Sequence, residues 1–92
     1  LLGVKVGIEI LVCALELHPD DINLHDSLGE FYAEIGLRNE AILAYQKALS
    51  LNPQYPNSAV AKARIIDIEQ LIYRFMRQGN VHLFHDLIYR LS

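Results

Sequence analysis

Apolar residues recur at spacings of three and four along most of the chain, the period of helices that each bury one face. From Val4 to Leu17 the series is Ile8, Leu11, Val12 and Leu15, and Pro19 follows four positions after the last of these, where a helix must stop. That predicts a helix over 3–17. Asp20 or Asp21 is placed to cap a second helix over 22–35, because a short carboxylate accepts hydrogen bonds from the free N–H groups of a first turn. Gly36 ends it, with the positive φ that reverses a chain after a helix. A third helix spans 38–51 and is broken by Asn52-Pro53, and a fourth runs over 57–78 with Asn57 or Ser58 as its cap. Gly79-Asn80 reads as a stop followed by a restart, and in the last helix, 81–91, Phe84, Leu87, Ile88 and Leu91 form an i, i+3, i+4, i+7 stripe. The expected fold class is all-α.

The chain also repeats itself. Leu15-Glu16-Leu17-His18-Pro19 returns as Leu49-Ser50-Leu51-Asn52-Pro53, thirty-four residues later. Between the two lie Leu28-Gly29, Tyr32, Gly36, Ala41, Tyr45, Ala48 and Pro53. This series resembles the tetratricopeptide repeat (TPR) pattern of leucine-glycine, tyrosine, alanine, aromatic and closing proline. The resemblance implies a right-handed solenoid of antiparallel helix pairs in one domain, 1–92. Residues 1–21 would be the second helix of a partial repeat, 22–55 a complete repeat, 56–78 a capping helix and 79–92 a terminal amphipathic helix. The motif has a physical logic: Gly29, Ala41 and Ala48 remove bulk where two helices cross, and Tyr32 and Tyr45 fill the space beside the crossing. His25 stands where the family pattern has tryptophan. In the third unit Lys62-Ala63 replaces leucine-glycine, Ile66 replaces tyrosine and Gln70 replaces the turn glycine. The fourth helix is therefore expected to run on without turning and to cover the last face of the array.

At 92 residues the chain has room for one small domain, and with 52% apolar and 21% charged residues it belongs with globular proteins rather than disordered ones. Its net charge of −3 lacks the positive field that phosphate backbones require, so nucleic acid is excluded as a partner class. The apolar stretch 1–17 carries Lys5, Glu9 and Glu16 and is shorter than the ~20 residues that a membrane helix needs. No membrane association is expected. The single Cys13 has no internal disulfide partner and is expected to be a buried thiol, which favours a reducing, cytoplasmic setting. Because the first residue is leucine, the chain is expected to be a piece of a longer protein.

Catalytic chemistry is not indicated. Ser27, Ser50, Ser58 and Ser92 stand in no nucleophile motif, and Gly3-Val4-Lys5-Val6-Gly7 lacks the spacing of a phosphate loop. His82 and His85 could both reach one ion, yet no four-ligand set surrounds them, so neither metal nor cofactor is expected. The residues point instead to surfaces. The resemblance implies that first helices line the concave face, which gives Asn23, Asp26, Ser27, Glu30, Ala33 and Glu34 on one helix and Asn57, Val60, Arg64 and Asp67 on the other. Asp26 and Glu30 stand where some TPR domains use cations or amides to clamp a peptide carboxylate, so this face suits a basic or neutral peptide or protein partner. An alternative role is a structural or oligomerising appendage of a larger parent, enzymatic or not. Self-association would then use Ile8, Leu11, Leu15, Phe84, Leu87, Ile88 and Leu91 in a homo-oligomer.

Overall fold

The computed structural model describes residues 2–77, which form four α-helices and, among the described residues, no strand. They are α1 (Leu2–Leu17), α2 (Ile22–Glu34), α3 (Arg38–Leu51) and α4 (Ser58–Arg77). These bounds follow the spacing of apolar residues and the positions of the breakers to within a residue or two. The fourth helix passes Gln70 without a turn and continues to Arg77, as the missing glycine predicts. The helix expected over 81–91, with Phe84, Leu87, Ile88 and Leu91, lies outside the described residues.

The chain ends of the helices are set by short-range hydrogen bonding. Asp21 has extended backbone angles and its Oδ1 accepts from the Leu24 N–H at 3.2 Å, which satisfies one of the orphan donors of α2. At the other end Gly36 takes φ +82°, the Leu37 N–H donates to the Tyr32 carbonyl at 2.9 Å and the Gly36 N–H donates to the Ala33 carbonyl at 3.2 Å. This pair of bonds is the Schellman closure, and it needs a residue without Cβ at the left-handed position. After α3 the Asn52 Oδ1 accepts from the Gln54 N–H at 3.0 Å, so Asn52 and Pro53 together turn the chain towards α4.

Each helix packs on its neighbour in sequence: α1 on α2, α2 most extensively on α3, and α3 on α4. The core between them is small and centred on one aromatic ring. Tyr45 is fully buried, with Ala48, Ala61 and Tyr55 around it and Ile22, Leu49 and Ile65 at its margin. Leu28, Ala41, Ala44 and Ile68 are buried beside this cluster. A Cβ on Gly29 would lie 2.9 Å from the Tyr45 ring, so the glycine is what allows the ring to occupy the α2–α3 crossing. A looser version recurs one helix earlier, where a Cβ on Gly7 would meet the Phe31 ring at 3.1 Å.

Two expectations are corrected. Cys13 is exposed, not buried. The half-buried side of α1 carries Gly7, Ile8, Leu11, Ala14 and Leu15, and at 3.6 residues per turn Cys13 falls outside it, with exposed Val6, Ile10 and Leu17. Tyr32 is only half-buried, and Ile66 at the equivalent place in the next unit is 53% exposed. Aromatic filling at the crossing therefore comes from Tyr45, while the Tyr32 position lies at its edge.

Candidate partner-binding face

Three polar links tie α2 to α4 and to the turn that leads into it. Asp26, near the middle of α2, accepts from the Tyr55 hydroxyl on Oδ1 at 2.5 Å and from Asn57 Nδ2 on Oδ2 at 2.9 Å. One turn further along α2, Glu30 Oε1 pairs with Arg64 Nη2 of α4 at 3.2 Å. The links run in the same order along both segments, so the α2 face of Asp26 and Glu30 lies beside a stretch that begins at Tyr55 and Asn57 in the α3–α4 turn and continues to Arg64 of α4.

The remaining face residues sit around these links without entering them. Asn23, Glu34 and Asp67 are exposed, Ser27 and Ala33 are half-buried, and Val60 is exposed between Asn57 and Arg64. Asp26, Glu30, Glu34 and Asp67 supply four carboxylates against the one guanidinium of Arg64. Both donors to Asp26 are neutral groups, so its charge is held in place rather than cancelled. Glu30 is neutralised by Arg64, but with their side chains 46% and 45% exposed the pair remains open to water and to exchange.

Under this face lies the Tyr45 hydroxyl, a buried oxygen with no hydrogen-bond partner. Burial pushes its pKa up to about 12, and the charges of Glu30 and Asp26 reinforce the shift; Arg64 opposes it both by its charge and by a side-chain hydrogen bond too long or too bent to satisfy the hydroxyl fully. Tyr55 is also raised, first by burial and then by its hydrogen bond to the Asp26 carboxylate and the charge of that group. Tyr55 is the residue that sequence reasoning missed. Its only signal was an aromatic ring between Pro53 and Pro56 in a segment otherwise read as a turn.

Other features fall elsewhere. His25 Nε2 lies 2.8 Å from the Pro19 carbonyl, so His25 ties α2 back to the α1–α2 turn. Ile8, Leu11 and Leu15, assigned to self-association, are half-buried, whereas Val6, Ile10, Val12 and Leu17 are the exposed apolar residues of α1. On α4, Leu71 and Phe75 are half exposed and, with Ile72, Arg74 and Arg38, line a surface hollow of about 450 Å³. Among the described residues no group of three or more metal-ligating side chains comes together, and no described helix is long and apolar enough to cross a membrane.

No family model matches the chain, and no solved structure matches it. Partial similarity is found to protein arginine N-methyltransferase 9 of Homo sapiens, 42% identical over 45 residues that make up 49% of this chain. The Mus musculus protein of the same name is 45% identical over 42 residues, 46% of this chain. Each match covers 5% of the relative, so the chain spans only a small part of the length of the curated proteins it resembles.

Proposed function

We propose that this chain is a non-catalytic protein-interaction module of TPR type, which takes a basic peptide segment along the face shared by α2 and α4. The observation that carries the reading is the Glu30–Arg64 pair. Its two residues stand one repeat period apart in sequence and meet in space at 3.2 Å. Equivalent positions of successive units come side by side when helix pairs stack as a solenoid. The excess of carboxylates on this face favours a cationic partner, since complementary charge steers and orients association.

The relatives give the proposal a setting. They are named for methylating protein arginine, and the ligand of such a parent is an arginine-bearing protein. A segment like this one would hold that protein while the chemistry proceeds in another part of the parent chain. An exposed, unpaired Cys13 suits the reducing cytoplasm. Fluorescence anisotropy with two labelled peptides of equal length, one arginine-rich and one glutamate-rich, tests the reading. Binding of the arginine-rich peptide, weakening as salt is added, is the expected result. Equal binding of both, or preference for the acidic one, contradicts it.

A second reading, a self-associating appendage, is favoured by the exposed Val6, Ile10, Val12 and Leu17 of α1. It predicts a mass that rises with concentration in sedimentation equilibrium and returns to 10.5 kDa in a Val6→Glu/Ile10→Glu variant. A constant 10.5 kDa for the unmodified chain would eliminate it.

A further inference from the structure

We infer that the outward side of α1 is a docking seam for an amphipathic helix of another protein, one that carries lysine or arginine beside its apolar stripe. This surface is separate from the α2–α4 face and goes beyond the peptide site proposed there.

Spacing and exposure together mark the seam. Gly3, Val6, Ile10, Cys13 and Leu17 follow one another at steps of three, four, three and four residues, and every one of them is exposed. That is the heptad step by which one helix packs lengthwise along another. The half-buried residues of α1, among them Gly7 and Leu11, belong to the side that packs on α2, so the helix is apolar on two sides.

Repeat packing accounts for only one of these sides. Thirty-four residues later, Val6, Ile10, Cys13 and Leu17 correspond to Glu40, Ala44, Lys47 and Leu51 of α3. Ala44 is buried where α2 packs on α3, yet Glu40 and Lys47 stay exposed. A helix stacked on α1 in the same way would cover Ile10 and leave Val6 and Cys13 in water. Their apolar character calls for a different neighbour.

Charge decides which neighbour. The seam is bordered on one side by Lys5, Glu9 and Glu16, all exposed, and on the other by Gly7 and Ala14. Lys5 stands one turn before Glu9 and offsets it in part, whereas Glu16 has no cation within a turn on its own helix. A second copy of this chain suits that border poorly. Paired antiparallel it sets glutamate against glutamate, and paired parallel it sets them against Gly7 and Ala14, which already adjoin α2. A helix with lysine or arginine at its flanking positions instead forms ion pairs across the seam. Gly3 and Cys13 are the narrow places, so large side chains such as leucine fit opposite them. From Gly3 to Leu17 the seam is about 21 Å long, room for four turns of a partner helix.

The experiment is fluorescence anisotropy of the full 92-residue chain with a labelled three-heptad peptide that has leucine along its stripe and lysine at both flanking positions. Those lysines also keep the peptide from pairing with itself. Saturable binding is expected, about ten-fold or more tighter than that of the same peptide with glutamate in place of lysine. Val6→Glu/Cys13→Lys, which gives α1 the polar pattern of α3, should weaken binding about ten-fold or more with helix content unchanged. Capping Cys13, the one thiol of the chain, with N-ethylmaleimide should weaken it as well without any substitution. Val12→Gln, at an exposed apolar position beyond the Lys5, Glu9 and Glu16 strip, and Glu30→Gln, on the α2–α4 face, should leave affinity unchanged. The inference is overturned if the lysine peptide does not bind, if the glutamate peptide binds as well, or if the double variant or the capped chain binds as the unmodified chain does. Loss of binding in Glu30→Gln would place the peptide on the α2–α4 face and overturn it too. So would a chain that pairs with itself in sedimentation equilibrium and returns to 10.5 kDa in Val6→Glu/Cys13→Lys, since a second copy would then cover the seam.

Discussion

Glu30 of α2 and Arg64 of α4 are thirty-four residues apart in sequence and 3.2 Å apart across the two helices. Between them in sequence lie the whole of α3 and two turns, so the pair reports how α4 is placed beside α2. Its energetic contribution is nonetheless small, because both side chains are nearly half exposed. A double-mutant cycle with Glu30→Gln and Arg64→Gln should give a coupling of about 0.2–1 kcal/mol in low salt, falling as salt is added. A coupling above about 2 kcal/mol would mean that the pair is shielded from solvent, against the exposure seen here.

Gly29 tests the packing more sharply. At an exposed helical site glycine to alanine stabilises by about 0.5–1 kcal/mol, because the backbone loses less entropy on folding. Here the added Cβ would meet the Tyr45 ring at 2.9 Å, and that ring is fully buried with no room to retreat. Gly29→Ala should therefore destabilise, by roughly 1–3 kcal/mol in urea unfolding. A stabilised variant would show that the two helices do not cross as described.

Tyr45 separates the ring from its hydroxyl. Tyr45→Ala should cost about 3–5 kcal/mol, as expected for a large aromatic removed from a core. Tyr45→Phe keeps the ring and deletes an oxygen that is buried without a partner, so stability should hold or rise by up to about 1 kcal/mol. Thermal unfolding of the two variants checks both signs, and a clear loss in Tyr45→Phe would show that the hydroxyl is already well bonded.

Alkaline pH should act through the same residue. The folded-state pKa of Tyr45 is raised to about 12 from an ordinary 10.0, chiefly by burial, and Tyr55 is raised in the same direction. A group whose pKa is higher in the folded than in the unfolded state contributes stability that is complete below the unfolded value. That contribution is lost as pH climbs from 10 towards 12. Urea midpoints should hold near pH 9 and fall across this window, with a smaller fall in Tyr45→Phe. Parallel behaviour of Tyr45→Phe and the unmodified chain would contradict the assignment.

The helices were legible because their signals are local. Asp21, Gly36 and Asn52-Pro53 mark ends by their own backbone chemistry, and the apolar spacing gives the segments between them. The motif residues Leu28, Gly29, Ala41, Tyr45 and Ala48 are buried as their spacing implied. What could not be read is what depends on neighbours distant in sequence. Cys13 was misassigned from the apolarity of its stretch, although Lys5, Glu9 and Glu16 mark one side of α1 and Cys13, four residues after Glu9 and three before Glu16, falls on that outward side. Asp26 was recognised as a face residue, but its engagement by Tyr55 depends on a turn whose path no local pattern specifies.

The most direct test of the proposed binding face is a ¹⁵N-labelled NMR titration of the chain with an arginine-bearing peptide, reading the backbone amide of each residue. The account predicts saturable shifts concentrated on Asn23, Asp26, Ser27 and Glu30 of α2, on Asn57 just before α4, and on Val60 and Arg64 within it. The outer residues of α1, among them Val6, Ile10 and Leu17, should be left unmoved. Saturable shifts centred on α1 or on the hollow around Leu71 and Phe75, with the α2–α4 face silent, would contradict it.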